Sequence, residues 1–154
     1  MEKKKPIKRH IALQPLSRQH HFGLLFSWKI RKGFLKNIEI ERLQEYANWF
    51  FINEIKPHFN DEEKYLFPIL DAENELIKRA LKEHRRLNQL FQDTTGPEKS
   101  LLQLEKELVA HIRFEERILF NEIQKVATAS QLQKIEEIHR QLPKTPDYHD
   151  PFWE

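Results

Sequence analysis

Residues 54–67 read EIKPHFNDEEKYLF, and residues 107–120 read ELVAHIRFEERILF. Both fit E-x3-H-x3-E-E-[KR]-x-L-F, and six of the fourteen positions are identical: Glu, His, Glu, Glu, Leu and Phe. A repeat kept only for packing would preserve its apolar residues and let the polar ones drift. Here an imidazole and several carboxylates are preserved. Side chains four residues apart on a helix lie one turn apart on one face. His58 therefore shares a face with Glu62, and His111 with Glu115. Two such helices facing each other would aim two imidazoles and two carboxylates at one point.

The rest of the chain is consistent with a helical frame for that repeat. Its 154 residues suffice for one domain with a core. Only three are glycine, while Leu, Glu, Lys, Gln and Ile are plentiful, a composition that favours helix. No run of alternating β-branched residues marks a strand. The net charge of +2 gives no reason to expect nucleic acid or an anionic membrane as the main partner. The basic start MEKKKPIKR is followed by no apolar stretch of the kind a signal peptide carries. Apolar runs such as Trp49-Phe50-Phe51-Ile52 are too short to span a bilayer. The absence of cysteine excludes disulfides, thiolate metal sites and cysteine nucleophiles, and suits a cytoplasmic location.

Patterning divides the chain into a basic tail (1–12), a bundle (13–127) and a short C-terminal helix with a proline-rich tail (128–154). The first helix is expected from a Ser17 N-cap to about Phe34, with Gly33, Lys36 and Asn37 marking its end. The second spans about Ile40 to Leu70, with a kink or break at Pro57. The third spans about Glu73 to Gln92. Asp93-Thr94-Thr95-Gly96-Pro97 is the clearest loop, with Pro97 suited to the first turn of the fourth helix, about Glu98 to Val126. Thr128 or Ser130 is expected to cap a fifth helix ending near Leu142. The tail PKTPDYHDPFWE is expected to wrap the surface or to be loose. The fold expected is all-α, an up-and-down antiparallel four-helix bundle.

Apolar stripes at steps of three and four carry a histidine on every long helix. They read Leu13, Leu16, His20, Gly23, Ser27, Ile30, Phe34; then Ala47, Phe51, His58, Glu62, Tyr65, Ile69; then Ile77, Leu81, His84, Leu87, Phe91; then Leu101, Leu104, Leu108, His111, Glu115, Ile118, Glu122. A single core histidine is more often a hydrogen-bonded core residue than a ligand. Glu62 and Glu115, buried and unpaired, would cost roughly several kcal/mol each. His–Glu couples without metal, or stripes rotated towards solvent, are the bland alternatives. A cation answers better, because it compensates buried carboxylates and uses imidazole lone pairs together. Imidazole and carboxylate without thiolate suit iron, manganese or zinc, and six such ligands suit two ions better than one.

The set Gln19-His20, His58-x3-Glu62, Glu83-His84 and His111-x3-Glu115 resembles the hemerythrin-like, or HHE, cation-binding family, whose pattern is H…H-x3-E…H…H-x3-E on a four-helix bundle. The likeness covers roughly residues 13–126, and the opening LSRQHH is similar to a bacterial branch. The resemblance implies a non-haem di-iron centre with His20, His58, His84 and His111 as terminal ligands and Glu62 and Glu115 bridging. It implies a small diatomic partner, O2 or NO, or peroxide. One departure counts. Oxygen-carrying hemerythrin has H-x3-H on its third helix, whereas Asn88 stands four residues after His84 here, and the second acidic ligand is Glu rather than Asp. That weighs against simple oxygen carriage and leaves binding, sensing, iron handling and a di-iron enzyme open. The family's iron–sulfur repair proteins carry a cysteine-containing segment, which this chain lacks. A metal-free interaction module is the remaining rival.

His20 is preferred to His21, because it lies on the seam beside small Gly23 and Ser27. Glu63 and Glu116 are read either as surface charges or as acceptors for a ligand imidazole. Glu54 and Glu107 have the same two readings. Tyr65 is expected to pack in the core more than to line a pocket. His10, His139 and His149 have no partners at ligand spacing. Glu136-x-x-His139 is one half of a ferritin-type motif without its second half.

Overall fold

A computed structural model describes residues 8–140 and 145–154, and among these every regular element is helical. The fold class is all-α, as composition and periodicity lead one to expect. Most of the basic tail lies outside the described residues, as does the expected end of the last helix near Leu142.

Helix α1 covers Gln14–Leu35 and follows a 3-10 turn at Ile11–Leu13. Ser17 is not its cap. Pro15 lies in the first turn, where a missing N–H costs nothing, and the His10 imidazole caps the preceding turn by accepting from Ala12 N–H at 3.0 Å. At the other end Asn37 adopts φ of 57°, and Ile38 N–H closes on the Gly33 carbonyl. Gly33 serves a different need: Leu43 and Phe152 pack where its Cβ would sit.

The second arm comprises α2 (Ile40–Phe50), a π turn at Phe51–Ile55, α3 (Lys56–Asp61), a π turn at Glu62–Leu66 and a 3-10 turn at Phe67–Ile69. Pro57 does not break it. The wide turn upstream, where Lys56 N–H reaches back to the Phe51 carbonyl, absorbs the proline's missing donor and bulk. Helix α4 (Glu75–Gln92) is capped by Asn74, whose side chain accepts from Leu76 N–H at 2.8 Å. Pro97 opens α5 (Pro97–Phe114), as expected. A π turn at Glu115–Leu119 leads into α6 (Phe120–Val126). Helix α7 (Ala129–Arg140) begins with a capping box: Thr128 Oγ1 accepts from Gln131 N–H and Thr128 N–H donates to Gln131 Oε1.

Both repeat copies thus place a π turn starting at the glutamate of H-x3-E. The extra residue advances the buried face by one position. Past Glu115 the core is Leu119, Phe120 and Ile123, while Ile118 is 43% exposed and Glu122 only half-buried, against the stripe expected from a regular helix. Past Glu62 it is Leu66 and Phe67, with Tyr65 and Ile69 half-buried at its margin.

Helix α5 packs against α1, α2 and α4, and α7 packs on the 3-10 turn before α1. The apolar interior forms two clusters. One contains Phe26, Ile30, Leu43, Phe50, Leu87, Phe91, Leu104 and Leu108; the other contains Leu16, Leu66, Phe67, Ala80, Phe114, Leu119, Phe120 and Ile123. On α1 and α4 the histidine falls between them: His20 between Leu16 and Phe26, His84 between Ala80 and Leu87. The polar residues therefore form a layer sealed on two sides by hydrocarbon. The C-terminal segment returns to the first cluster. Phe152 is buried in it, and Asp150 takes a forked pair from Arg42 at 2.9 and 2.7 Å. No helix among the described residues is long and apolar enough to cross a membrane.

Candidate metal centre

The six residues singled out by spacing converge. His20, His58, Glu62, His84, His111 and Glu115 are all buried, the two glutamates completely. One atom each from His20, His58, Glu62 and Glu115 lies within 4.8 Å of the others, and the same holds for Glu62, His84, His111 and Glu115. The two glutamates belong to both groups. His58 Nε2 is 3.2 Å and His84 Nε2 3.3 Å from Glu62 Oε1; His111 Nε2 is 2.9 Å and His20 Nε2 3.1 Å from Glu115 Oε1. His21 is exposed on the outer face of α1.

Four acceptors hold the far sides of the rings. His20 Nδ1 meets Glu116 at 2.7 Å, His58 Nδ1 meets Gln19 at 2.5 Å, His84 Nδ1 meets Glu63 at 2.9 Å and His111 Nδ1 meets Glu83 at 2.7 Å. With Nδ1–H donating outward, each Nε2 presents a lone pair inward. Two acceptors are themselves held: Arg9 pairs with Glu116 at 3.2 Å, and Arg79 with Glu83 at 2.9 Å. Glu63 and Glu116 therefore take the second of their two expected roles. Gln19 and Glu83 are partners that spacing does not disclose, since each precedes one histidine in the chain yet serves another across the helix interface. The only trace is the shared polar-then-His pattern.

The inward atoms lie close together, yet most of them make no hydrogen bond. His58, His84 and His111 Nε2, both Glu62 carboxylate oxygens and Glu115 Oε2 are buried without a hydrogen-bond partner. Buried polar atoms are normally paired, and six such atoms facing one point could hold a cation. The protein alone balances this layer with protons. Burial and the charge of Glu115 push Glu62 well above the usual carboxylate range. Glu115 is held well below it: burial opposes this, but His111, Glu62 and His20 outweigh burial. Burial lowers His111, yet Glu115 and Glu83 carry it to about 9. Burial and the neighbouring His20 drive His58 well down.

A cavity adjoins the cluster, lined by His20, His58, His111 and Glu115 on its polar side and by Gly23, Phe59, Leu108 and Ile112 on its apolar side. It offers about 10 Å³ to the centre of a water-sized sphere, the room one water or one diatomic molecule requires. Glu54 lines it as well, whereas Glu107 is a surface residue paired with Arg86 at 3.0 Å. Tyr65 and Asn88 do not line it. His139 lies outside the cluster, 3.5 Å from Asp61.

Comparison with known proteins agrees with this geometry. No curated protein and no solved structure matched the chain. The family model described as the Hemerythrin HHE cation binding domain matches residues 19–98, which include His20, His58, Glu62 and His84. His111 and Glu115 lie beyond the matched span, and the fold supplies them to the same layer. The match covers more than half of the chain, and the chain belongs to the hemerythrin HHE cation-binding family.

Proposed function

We propose that this protein is a non-haem di-iron protein that binds or senses O2 or NO, or handles iron. On this reading His20, His58, His84 and His111 would hold the ions as terminal ligands and Glu62 and Glu115 would be shared between them, within an up-and-down four-helix bundle in the cytoplasm. The observation that carries it is the set of six buried, unpartnered nitrogen and oxygen atoms around one point. Donors of nitrogen and oxygen without sulfur suit iron, and accept manganese or zinc. A pair of iron ions would supply redox capacity and open coordination for a small ligand. The residues supply the rest. The Nδ1 partners fix the tautomers, the aromatic and aliphatic walls exclude bulk water, and the cavity admits a molecule of diatomic size.

Metal analysis and the optical spectrum of protein purified without chelators test this. About two irons per chain and near-ultraviolet bands of an oxo-bridged diferric pair are expected. Fewer than one iron per chain after anaerobic reconstitution with ferrous ion would overturn it.

A second reading, a di-iron oxidase or peroxide-reacting enzyme, is favoured by Asn88 in place of a further imidazole, since an open position suits turnover. Adding O2 to the diferrous protein separates the two. An adduct reversed under argon indicates binding, and repeated O2 consumption ending in a diferric product indicates an enzyme. A metal-free module leaves the six orphaned atoms unexplained.

A further inference from the structure

The two halves of the polar layer are related by the sequence repeat, and the correspondence extends beyond the six central residues. His20 answers to His84, His58 to His111, Glu62 to Glu115, Glu63 to Glu116 and Gln19 to Glu83. The hydrogen bonds obey the same relation: Glu116 holds His20 as Glu63 holds His84, and Gln19 holds His58 as Glu83 holds His111. By their inner ligands alone the two positions would be equivalent, each with two imidazoles and a share of both carboxylates.

One difference breaks that equivalence, and it is chemical. His84 and His111 both donate to carboxylates, and Arg79 orients one of these. On the other side His20 donates to a carboxylate, but His58 donates to the neutral amide oxygen of Gln19. A carboxylate acceptor raises the donor strength of the opposite ring nitrogen more than an amide does. Space does not separate the two sides: the cavity beside His20 is also lined by Phe59 and His111, and another of about 120 Å³ is lined by Glu83, Leu87 and His111.

We infer that the two metal positions are unequal, the His84/His111 position binding first and more tightly, and that Gln19 is the positioning residue that weakens the His20/His58 position. This rests on the metal-site reading above.

The test is a titration of metal-free protein with manganese(II), followed by calorimetry and by electron paramagnetic resonance, with circular dichroism as a check on folding. Wild type should show two steps roughly 10- to 100-fold apart, the range that changing a hydrogen-bond partner of a ligand imposes on metal affinity. The first equivalent should give an isolated-ion spectrum and the second a coupled one. Gln19→Glu should bring the steps together by tightening the weaker one. Glu83→Gln should do so by weakening the tighter one. His58→Ala should keep the tight step and His84→Ala should lose it. A gap unchanged in Gln19→Glu, or a tight step that survives His84→Ala and vanishes in His58→Ala, would overturn the inequality alone. Folded wild-type protein that takes up neither manganese nor ferrous iron would overturn the metal-site reading itself.

Discussion

Glu116 accepts a hydrogen bond from His20 Nδ1 at 2.7 Å, although the two residues are 96 positions apart in the chain. Arg9 braces the same carboxylate from outside. The chain Arg9–Glu116–His20 fixes which ring nitrogen faces inward, and Arg79–Glu83–His111 does the same in the other half. Replacing Glu116 with Leu removes the acceptor and frees the ring to turn. Metal affinity should fall roughly 10- to 100-fold while the helical content is kept. Chelator competition on the folded variant measures this. An unchanged affinity would mean that packing against Phe120, 5.1 Å away, orients His20 unaided.

Because the donor set exists only in the folded protein, metal should stabilise it. At a free ferrous ion concentration about 100 times the dissociation constant, the gain is about 2.7 kcal/mol. For a chain of this length that corresponds to a rise in Tm of roughly 5–10 °C. His58→Ala and His111→Ala should lose most of this rise. Thermal unfolding under argon, with and without iron, provides the comparison, and equal rises in all three proteins would count against these residues as ligands.

Glu62 and Glu115 should respond oppositely in metal-free protein. Glu62 is pushed up towards its neutral form, so Glu62→Gln keeps the charge state and should leave the metal-free Tm unchanged or higher. Glu115 is held ionised among His111 and His20, so Glu115→Gln strips a buried charge from its partners and should lower the Tm by several degrees. Both variants should bind metal poorly. Equal metal-free stabilities would show that the two carboxylates share one proton evenly.

The raised pKa of His111 sets a pH dependence. Its ordinary value is 6.5 and its folded value about 9. The folded state thus holds this proton more tightly than the unfolded chain does. The resulting stabilisation is complete below about 6.5 and is lost as pH rises through about 9. Chelated wild type should therefore lose Tm between pH 7 and 9.5, and His111→Ala should flatten that part of the profile. Metal competes with the same proton, so apparent metal affinity should rise over the same range. A chelated wild-type profile as flat as that of the variant would rule this proton out as a source of stability.

Gly23 guards the cavity. Gly23→Ala drives a methyl against Ile112, at a cost of roughly 1–3 kcal/mol if the core cannot relax. The expected result is normal metal content with several-fold weaker binding of azide, used as a small anionic probe. Binding as tight as in wild type would show that small ligands reach the centre by another route.

Much of this was legible in the chain. The helical arms, the Asp93–Pro97 loop and the choice of His20 over His21 follow from periodicity, because a helix repeats its faces at a fixed angle. The six central residues stood out because each is a polar group on an otherwise apolar stripe. The π turns were not legible. A wide turn leaves the local pattern helical and shifts only the register after it, so Ile118 and Glu122 were expected inside where Leu119 and Ile123 lie. Gln19 and Glu83 were hidden for a related reason. Adjacent residues on a helix point about 100° apart, so each reaches a histidine on a neighbouring arm rather than the one beside it.

The sequence alone determined an all-α chain with a twice-written H-x3-E and a histidine on each long arm, because hydrophobic period and ligand spacing are local properties. Only the tertiary structure decided which carboxylate or amide backs which imidazole and where the register shifts. Those depend on how four arms face one another, and no single arm carries that information. Gln19 shows the difference most directly: in the chain it is the neighbour of His20, and in the fold it is the partner of His58.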